Sequence, residues 1–256
     1  MIVNVTEIEH YTDSLFRIKT ERPKTFRFTA GEFVMIGLEG TPKRAYSLTS
    51  GPYDEYLEFY SIKVPYGPLT SKLQHIKIGD ELIVGEKPTG TLTLANLELG
   101  GNLWLLATGT GIAPFISLLR DPTTYDHFDD IHVYWSVRKA QELQAYDSFL
   151  QEQGIKYTAT VTQDPTWKGF KQRITHFIKA GQIVPNLEPS EHKIMICGNL
   201  DFNKEIATMF DNWGFFEGNK KQAGTFVQEK AFVAVSYTHL RAHETVLDLV
   251  CRLLLE

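Results

Sequence analysis

The stretch that decides the fold is Thr108-Gly109-Thr110-Gly111-Ile112-Ala113-Pro114-Phe115. An apolar run, 103–107, precedes it, and a helical pattern, 113–120, begins inside it. Glycine permits a turn in which the backbone approaches a pyrophosphate closely, and the helix that follows points its positive end at the phosphates. Proline suits the first helical turn, where no intrahelical hydrogen-bond donor is lost. The octapeptide therefore predicts a strand, a phosphate-binding turn and a helix.

The second half of the chain alternates between apolar runs and helical segments. The apolar runs are 103–107, 131–135, 157–161 and 194–197, and the helical segments are 113–120, 142–151, 174–180 and 203–213. This alternation is typical of a parallel sheet that is covered on both faces. We expect an α/β nucleotide-binding domain over residues 98–233.

The first half has short alternating strands separated by glycine, proline and charged turns. Segment 57–64 alternates most clearly, and 33–36 and 81–84 are further predicted strands. One short helix is predicted after Gly67-Pro68. Many short strands with one helix indicate a small antiparallel β-barrel, which we expect over residues 1–97.

A cation, an aromatic ring and a hydroxyl occur together in Arg44-Ala45-Tyr46-Ser47. Strand alternation places Arg44 and Tyr46 on one face, where the arginine can bind a pyrophosphate and the ring can cover an isoalloxazine. Ser47 then places a hydroxyl beside the reactive flavin nitrogen. The alternative interpretation is an edge strand with an exposed arginine and a half-buried tyrosine.

Two further segments favour the flavin interpretation. Gly67-Pro68-Leu69-Thr70-Ser71 opens a helix whose free backbone N–H groups can bind phosphate oxygens. Tyr60-Ser61-Ile62-Lys63 lies on the strand directly before it. Since Arg44 and the glycine turn can together neutralise a diphosphate, we expect FAD and not FMN.

In their order and spacing these segments resemble the ferredoxin–NADP reductase family, in particular its bacterial branch. The resemblance runs from Met1 to about Val233, and the octapeptide resembles the nicotinamide loop of the family residue for residue. It implies that FAD is lined by Arg44, Ala45, Tyr46, Ser47, Tyr60, Ser61, Ile62, Lys63, Pro68, Leu69 and Thr70. It also implies that NADP(H) is bound by Thr108, Gly109, Thr110 and Gly111.

Cys197-Gly198-Asn199 lies at the end of a predicted parallel strand, where open α/β sheets present their ligands. The resemblance implies that Cys197 lies close to where the nicotinamide meets the flavin, with Gly198 and Asn199 in the binding site. A buried structural thiol is the alternative. We expect Ser47 and Cys197 to be the catalytic residues.

The adenosine end of the site departs from the family pattern. Arg138 and Arg173 match two arginines that bacterial members use near the adenosine phosphate, and Thr162 belongs to the same expected site. Gln163 replaces a third arginine, for which Lys168 or Lys171 can compensate. We expect NADPH, with NADH as the alternative.

Composition limits the partners. The formal net charge of −5 argues against nucleic acid, and no run reaches the ~18 apolar residues that span a membrane. The two cysteines cannot ligate an iron–sulfur cluster, which takes four, so a one-electron partner is a separate molecule. His239 and His243 are four apart, but no further ligands accompany them, and we expect no metal. The N-terminus has no secretory signal, so we expect a cytoplasmic protein.

The predicted function is hydride transfer between NADP(H) and FAD, with single electrons passing to a separate ferredoxin or flavodoxin. An NADH-preferring flavin reductase, the flavin subunit of a larger electron-transfer complex, and a nucleotide-binding module without turnover are the alternatives. Because hydride transfer is carried by the cofactors, no acid–base pair or triad is required.

The C-terminal end contradicts the resemblance. Bacterial relatives end shortly after a segment that matches 226–233, in which Ala231 and Phe232 lie against the flavin. This chain continues to Glu256, and its segment 234–256 has apolar residues at helical spacing. We interpret 234–256 as a foreign extension that promotes association of an otherwise monomeric protein, the alternative being a lid or a dimerisation helix.

Overall fold

The structure, a computed structural model, describes residues 1–230. Six strands form an antiparallel sheet and five form a parallel sheet, which confirms the expected fold class. The expectations for Ala231, Phe232 and the segment 234–256 lie outside the described residues.

The strands of the antiparallel sheet are β1 (Ile2–His10), β2 (Leu15–Glu21), β3 (Phe33–Gly37), β4 (Arg44–Ser47), β5 (Tyr56–Ile62) and β6 (Glu81–Val84). Their order in the sheet is β4-β3-β6-β1-β2-β5. The ends of the two edge strands meet, because Leu48, directly after β4, forms a β-bridge with Phe59 of β5, and the Thr49 backbone N–H donates to the Glu58 carbonyl at 2.9 Å. The sheet thus curls into a barrel around a buried apolar core.

The alternation of β5 does not leave one face exposed. Residues 57–61 are all buried, because the second half of the chain covers the face of β5 that points away from the barrel core. The Tyr60 ring, for example, packs edge-on against Tyr146 with the centroids 5.3 Å apart. The predicted short helix is present as α1 (Thr70–Leu73), which is a single turn.

The strands of the parallel sheet are β7 (Asn102–Thr108), β8 (Asp130–Val137), β9 (Lys156–Val161), β10 (His192–Gly198) and β11 (Phe226–Lys230). The helices beside it are α2 (Ala113–Leu119), α3 (Asp147–Glu152), α4 (Ile174–Lys179) and α5 (Leu200–Asn212). The strand order is β11-β10-β7-β8-β9, and both faces of the sheet are covered. Leu103, Leu105 and Ala107 pack on one side with α2, whereas Trp104 and Leu106 pack on the other with α4 and α5.

The prediction of one helix over 142–151 was wrong. A 3₁₀ turn, Ala140–Ala145, is followed by Tyr146 with φ −140° and ψ 1°, and only then by α3. Tyr146 is fully buried, and its hydroxyl donates to the Glu58 carboxylate of the barrel at 3.1 Å. This tertiary contact overrides the local helical preference.

Besides the core inside the barrel, a second buried apolar cluster is shared by the two sheets. Leu15, Tyr60 and Leu92 of the barrel half belong to the same buried cluster as Phe115 and Trp135 of the parallel half. The carboxyl ends of the parallel strands are consequently held opposite β5.

Candidate functional site

A cleft of about 510 Å³ lies between the carboxyl ends of the parallel strands and the barrel. Ser14, Leu15 and Ile62 border it from the barrel side. Ser136 and Glu142 also line it, and neither was predicted from the sequence, because a single hydroxyl or acid carries no motif. The sequence-predicted site residues that line it are Ile62, Thr108, Gly109, Thr110, Arg138, Thr162, Arg173 and Asn199.

The turn after β7 is shaped by its glycines. Gly109 has φ +53°, in the left-handed region that favours glycine, and its carbonyl accepts from Trp135 Nε1 at 2.8 Å. A Cβ on Gly111 would lie 2.1 Å from the Cys197 carbonyl oxygen. Only glycine therefore allows this turn to approach β10 so closely.

The loop after β10 packs on the same turn. A Cβ on Gly198 would lie 2.3 Å from Thr108 Oγ1, and the backbone N–H of Asn199 donates to that hydroxyl at 3.3 Å. Asn199 Oδ1 accepts from the Phe202 amide at 3.0 Å and caps α5. The side-chain oxygen of Asn199 is thus occupied as a helix cap, and its backbone carbonyl accepts from the Asn203 backbone N–H at 3.0 Å. This side of the cleft is therefore formed by the start of α5.

Three cationic or polar residues of the expected adenosine site line the cleft. Arg138, Gln163 and Arg173 are all exposed, and the Gln163 backbone N–H donates to the Arg138 carbonyl at 2.9 Å. The two lysines considered as substitutes, Lys168 and Lys171, are exposed and are not among the described residues that line the cleft. The cationic side chains that line the cleft are therefore the two arginines.

Strand β4 places Arg44 and Tyr46 on one face, as alternation predicts. Their β3 partners are Ile36 and Val34, both buried. The Tyr46 ring packs edge-on against Phe59, and its hydroxyl shares a 3.0 Å hydrogen bond with that of Ser61. Burial raises the pKa of Tyr46, so its hydroxyl stays protonated. Ser47 is half-buried at the end of the same strand.

The segment from Tyr60 to Lys63 has mixed surroundings. Tyr60 is 4% exposed, and its hydroxyl donates to the Glu142 carbonyl at 3.4 Å, so it packs between the two halves of the molecule. Ile62 is 36% exposed and lines the cleft. Lys63 Nζ donates to the Thr12 carbonyl at 3.0 Å. Of this segment, Ile62 is the side chain that the cleft exposes.

The glycine turn before α1 is suited to phosphate. Thr70 Oγ1 donates to the Val64 carbonyl at 3.1 Å, and a Cβ on Gly67 would lie 2.2 Å from that hydroxyl. Leu69 is buried, and Pro68 is exposed. The backbone N–H groups of Leu69 and Thr70 have no acceptor among residues 1–230. Two adjacent free donors are what an anion requires.

Cys197 is 2% exposed in β10, and burial, followed by the nearby charge of Glu229, raises the pKa of its thiol. It is therefore a protonated thiol. Glu229 pairs with it across β10 and β11 and accepts from the Thr91 amide at 3.3 Å. Burial raises the pKa of Glu229 to about 7. No sequence motif marks Glu229, an acid at the end of the strand that runs beside Cys197.

Within the part of the chain that the structure describes, no helix is long and apolar enough to cross a membrane. No group of three or more histidine, cysteine, aspartate or glutamate side chains is placed there to hold a metal ion. His239 and His243 lie outside the described residues.

Comparisons with known proteins find curated relatives that are named ferredoxin– or flavodoxin–NADP reductases. A model of the oxidoreductase NAD-binding domain matches residues 105–208. Ferredoxin–NADP reductase A of Sorangium cellulosum is 42% identical over 251 residues, covering 89% of this chain and 88% of that protein. The flavodoxin/ferredoxin–NADP reductase of Rhodobacter capsulatus is 42% identical over 250 residues, covering 90% and 92%.

A solved structure of similar shape is that of a ferredoxin NADP⁺ reductase from Neisseria gonorrhoeae with bound FAD and NADP. Its TM-score is 0.83 at 28% identity, and the match covers 91% of this chain and 98% of that one.

Proposed function

The chain belongs to the family of ferredoxin– and flavodoxin–NADP reductases, and on this premise we propose which of its residues perform each part of the reaction. It is an oxidoreductase with FAD and NADP(H) as cofactors. When bound, these cofactors supply the redox chemistry: hydride transfer between NADP(H) and FAD, and single-electron exchange between FAD and a separate ferredoxin or flavodoxin. The protein holds the two ring systems together and excludes water.

The observation that carries the proposal is the shared cleft, where the nucleotide turn and Ile62 of the barrel border one space. Apart from its chain neighbours, no atom would lie within 4 Å of a Cβ on Gly109, so the turn leaves open space in which a diphosphate would approach its backbone. Thr108, Thr110 and the start of α5 would add polar contacts. We assign this side of the cleft to NADP(H), within a domain of residues 98–233.

The barrel, residues 1–97, is assigned to FAD. Arg44 and the free N–H groups of Leu69 and Thr70 would bind its diphosphate. Tyr46, held by Phe59 and Ser61, would support the isoalloxazine ring. Ser47 would donate a hydrogen bond near the reactive nitrogen. Ala231 and Phe232, outside the described residues, keep their assignment to the flavin on the family resemblance alone.

Cys197 is assigned a positioning contact and no nucleophilic role. Burial keeps its thiol protonated, and its carbonyl lies against Gly111 of the nucleotide turn. The hydride step itself needs no thiolate, since both reacting centres belong to the cofactors.

NADPH is the proposed nucleotide. Arg138 and Arg173 are the cations that line the cleft, and the 2′-phosphate of NADPH is the anion that they fit. Gln163 makes the preference over NADH smaller than a third arginine would make it.

We further propose that the protein is a cytoplasmic monomer, apart from association through 234–256. Size-exclusion chromatography of the full chain and of a chain ending at Val233 tests this. A dimer that survives the truncation would contradict it.

The function is tested by identifying the cofactor and coupling the enzyme to an acceptor. Chromatography of the cofactor released on denaturation is expected to give FAD, and NADPH is expected to reduce an added ferredoxin or flavodoxin through the purified protein. FMN in place of FAD would contradict the assignment. Transfer that occurs only with a further subunit would favour the flavin subunit of a larger complex.

A further inference from the structure

A fully buried carboxylate lies where the two halves of the molecule meet. Glu58 of β5 is 0% exposed, and its Oε1 accepts three hydrogen bonds. They come from Thr49 Oγ1 at 2.9 Å, Arg120 Nη1 at 3.0 Å and Tyr146 OH at 3.1 Å. Thr49 belongs to the barrel half, whereas Arg120 and Tyr146 belong to the parallel half. We call these four residues the Glu58 junction.

The Glu58 junction touches the strand that carries the proposed flavin residues. Thr49 follows Ser47 by two positions, and its amide donates to the Glu58 carbonyl at 2.9 Å. Three positions after Glu58, Ser61 shares its hydrogen bond with Tyr46. Both β4 and β5 are therefore fixed at this carboxylate.

The same junction fixes the helix that follows the nucleotide turn. Arg120 directly follows α2, and all seven residues of that helix are buried. Arg120 Nη1 also donates to the Thr49 carbonyl at 2.9 Å, and Ser117 Oγ donates to the Ser50 carbonyl at 2.7 Å. One end of α2 thus carries the turn 109–111, and the other end is bonded to the segment that follows Ser47.

A purely stabilising role does not account for this arrangement. Burying an ion pair costs desolvation energy that its attraction often does not recover, so a buried pair is weak grounds for stability. The three hydrogen bonds all converge on Oε1, while Oε2 has no hydrogen-bond partner among residues 1–230 and lies 3.7 Å from Arg17 Nη1. The hydrogen bonds are thus concentrated on Oε1, the oxygen that meets the parallel half, where they fix the orientation of Arg120 and Tyr146 relative to the barrel.

We propose that Glu58 is a positioning residue, which through Arg120 and Tyr146 sets the placement of the nucleotide turn against the flavin strand. The proposal rests on the proposed function, because placement matters only if hydride crosses this boundary. A displacement of about 1 Å at reacting atoms can cost on the order of 100-fold in rate, so a joint of this kind controls the rate without contacting either cofactor.

Tyr146→Phe tests the junction with least disturbance, since it removes one hydrogen bond and keeps the buried ring. Glu58→Gln is the second variant. Tyr157→Phe is the matched control, because the Tyr157 hydroxyl donates to Asp147 Oδ1 at 3.0 Å entirely within the parallel half. Each holoprotein is compared by FAD content, by stopped-flow reduction with NADPH, and by hydrogen exchange of the amides in 49–51 and 113–120.

We expect Tyr146→Phe and Glu58→Gln to retain FAD and the Kd for NADPH, which the concentration dependence of stopped-flow reduction gives. Both variants should reduce FAD about 10-fold more slowly, with faster amide exchange in both segments. Tyr157→Phe is expected to match the wild type in rate and exchange. Wild-type rates in both junction variants, or the same loss in Tyr157→Phe, would overturn the proposal. A wild-type protein that holds no FAD, or whose FAD is not reduced by NADPH, would instead refute the proposed function.

Discussion

Replacing Gly111 by alanine adds one methyl group at the point where the nucleotide turn meets β10. The new Cβ would lie 2.1 Å from the Cys197 carbonyl oxygen and 2.6 Å from the carbonyl carbon. Both atoms belong to the backbone of a strand that is hydrogen-bonded on both sides, to β7 and β11. Because that strand cannot yield easily, the turn must move away from it.

The size of the effect follows from the cost of overpacking. An extra methyl group in a well-packed site typically costs about 1–3 kcal/mol. If the turn recovers this energy only by leaving its binding position, the Kd for NADP⁺ rises about 5- to 150-fold, at 1.4 kcal/mol for each factor of ten. FAD content is expected to stay unchanged, because Arg44, Tyr46, Ser47 and the turn before α1 lie in the barrel.

Titration of the oxidised protein with NADP⁺, followed by the flavin difference spectrum, measures this Kd. Gly154→Ala is the control: its φ of +69° makes alanine strained, but no atom lies within 4 Å of the added Cβ and the residue is outside the cleft. It should lower thermal stability and leave the Kd unchanged. A wild-type Kd in Gly111→Ala would refute the argument that this turn binds the nucleotide.

Four further substitutions test the site. Arg44→Ala should weaken FAD retention by about 1.5–3 kcal/mol in equilibrium dialysis, the cost of a hydrogen bond to a charged group, and unchanged retention would remove Arg44 from the site. Ser47→Ala should slow FAD reduction in stopped flow while FAD stays bound; an unchanged rate would exclude Ser47 from hydride transfer. Gln163→Arg should raise the NADPH/NADH ratio of kcat/KM, and a ratio that does not rise would contradict the placement of the 2′-phosphate. Glu229 has a pKa raised to about 7, so folding favours its protonated form and its contribution to stability is lost as pH rises from about 4.5 through 7. Glu229→Gln should abolish that loss in thermal denaturation of the flavin-free protein between pH 5 and 8, and an unaltered pH dependence would show that Glu229 does not cause it.

The local parts of this fold could be predicted from the sequence. The octapeptide at 108–115 specifies its turn through glycine conformation and through contacts made within a few residues, and the apolar runs before and after it mark the parallel strands. The strands β3 and β6 likewise follow from short β-branched or alternating segments. Arg138 and Arg173 both line the cleft, and their binding of the adenosine phosphate stays a prediction.

The parts that were missed depend on contacts distant in sequence. The alternation of 57–64 predicts a strand, but it does not indicate that the second half of the chain buries the outer face of residues 57–61. The helix predicted over 142–151 is interrupted because Tyr146 bonds Glu58, 88 positions away. The Glu58–Arg120 pair is separated by 62 positions, and no local pattern indicates which acid will meet which cation.

An anaerobic titration of the purified protein tests most directly whether this chain holds FAD where NADPH can reduce it. We expect a yellow protein with a flavin absorbance spectrum that bleaches on addition of NADPH, and that responds less to NADH at equal concentration. A colourless protein, or a flavin spectrum that neither nucleotide changes, would contradict it.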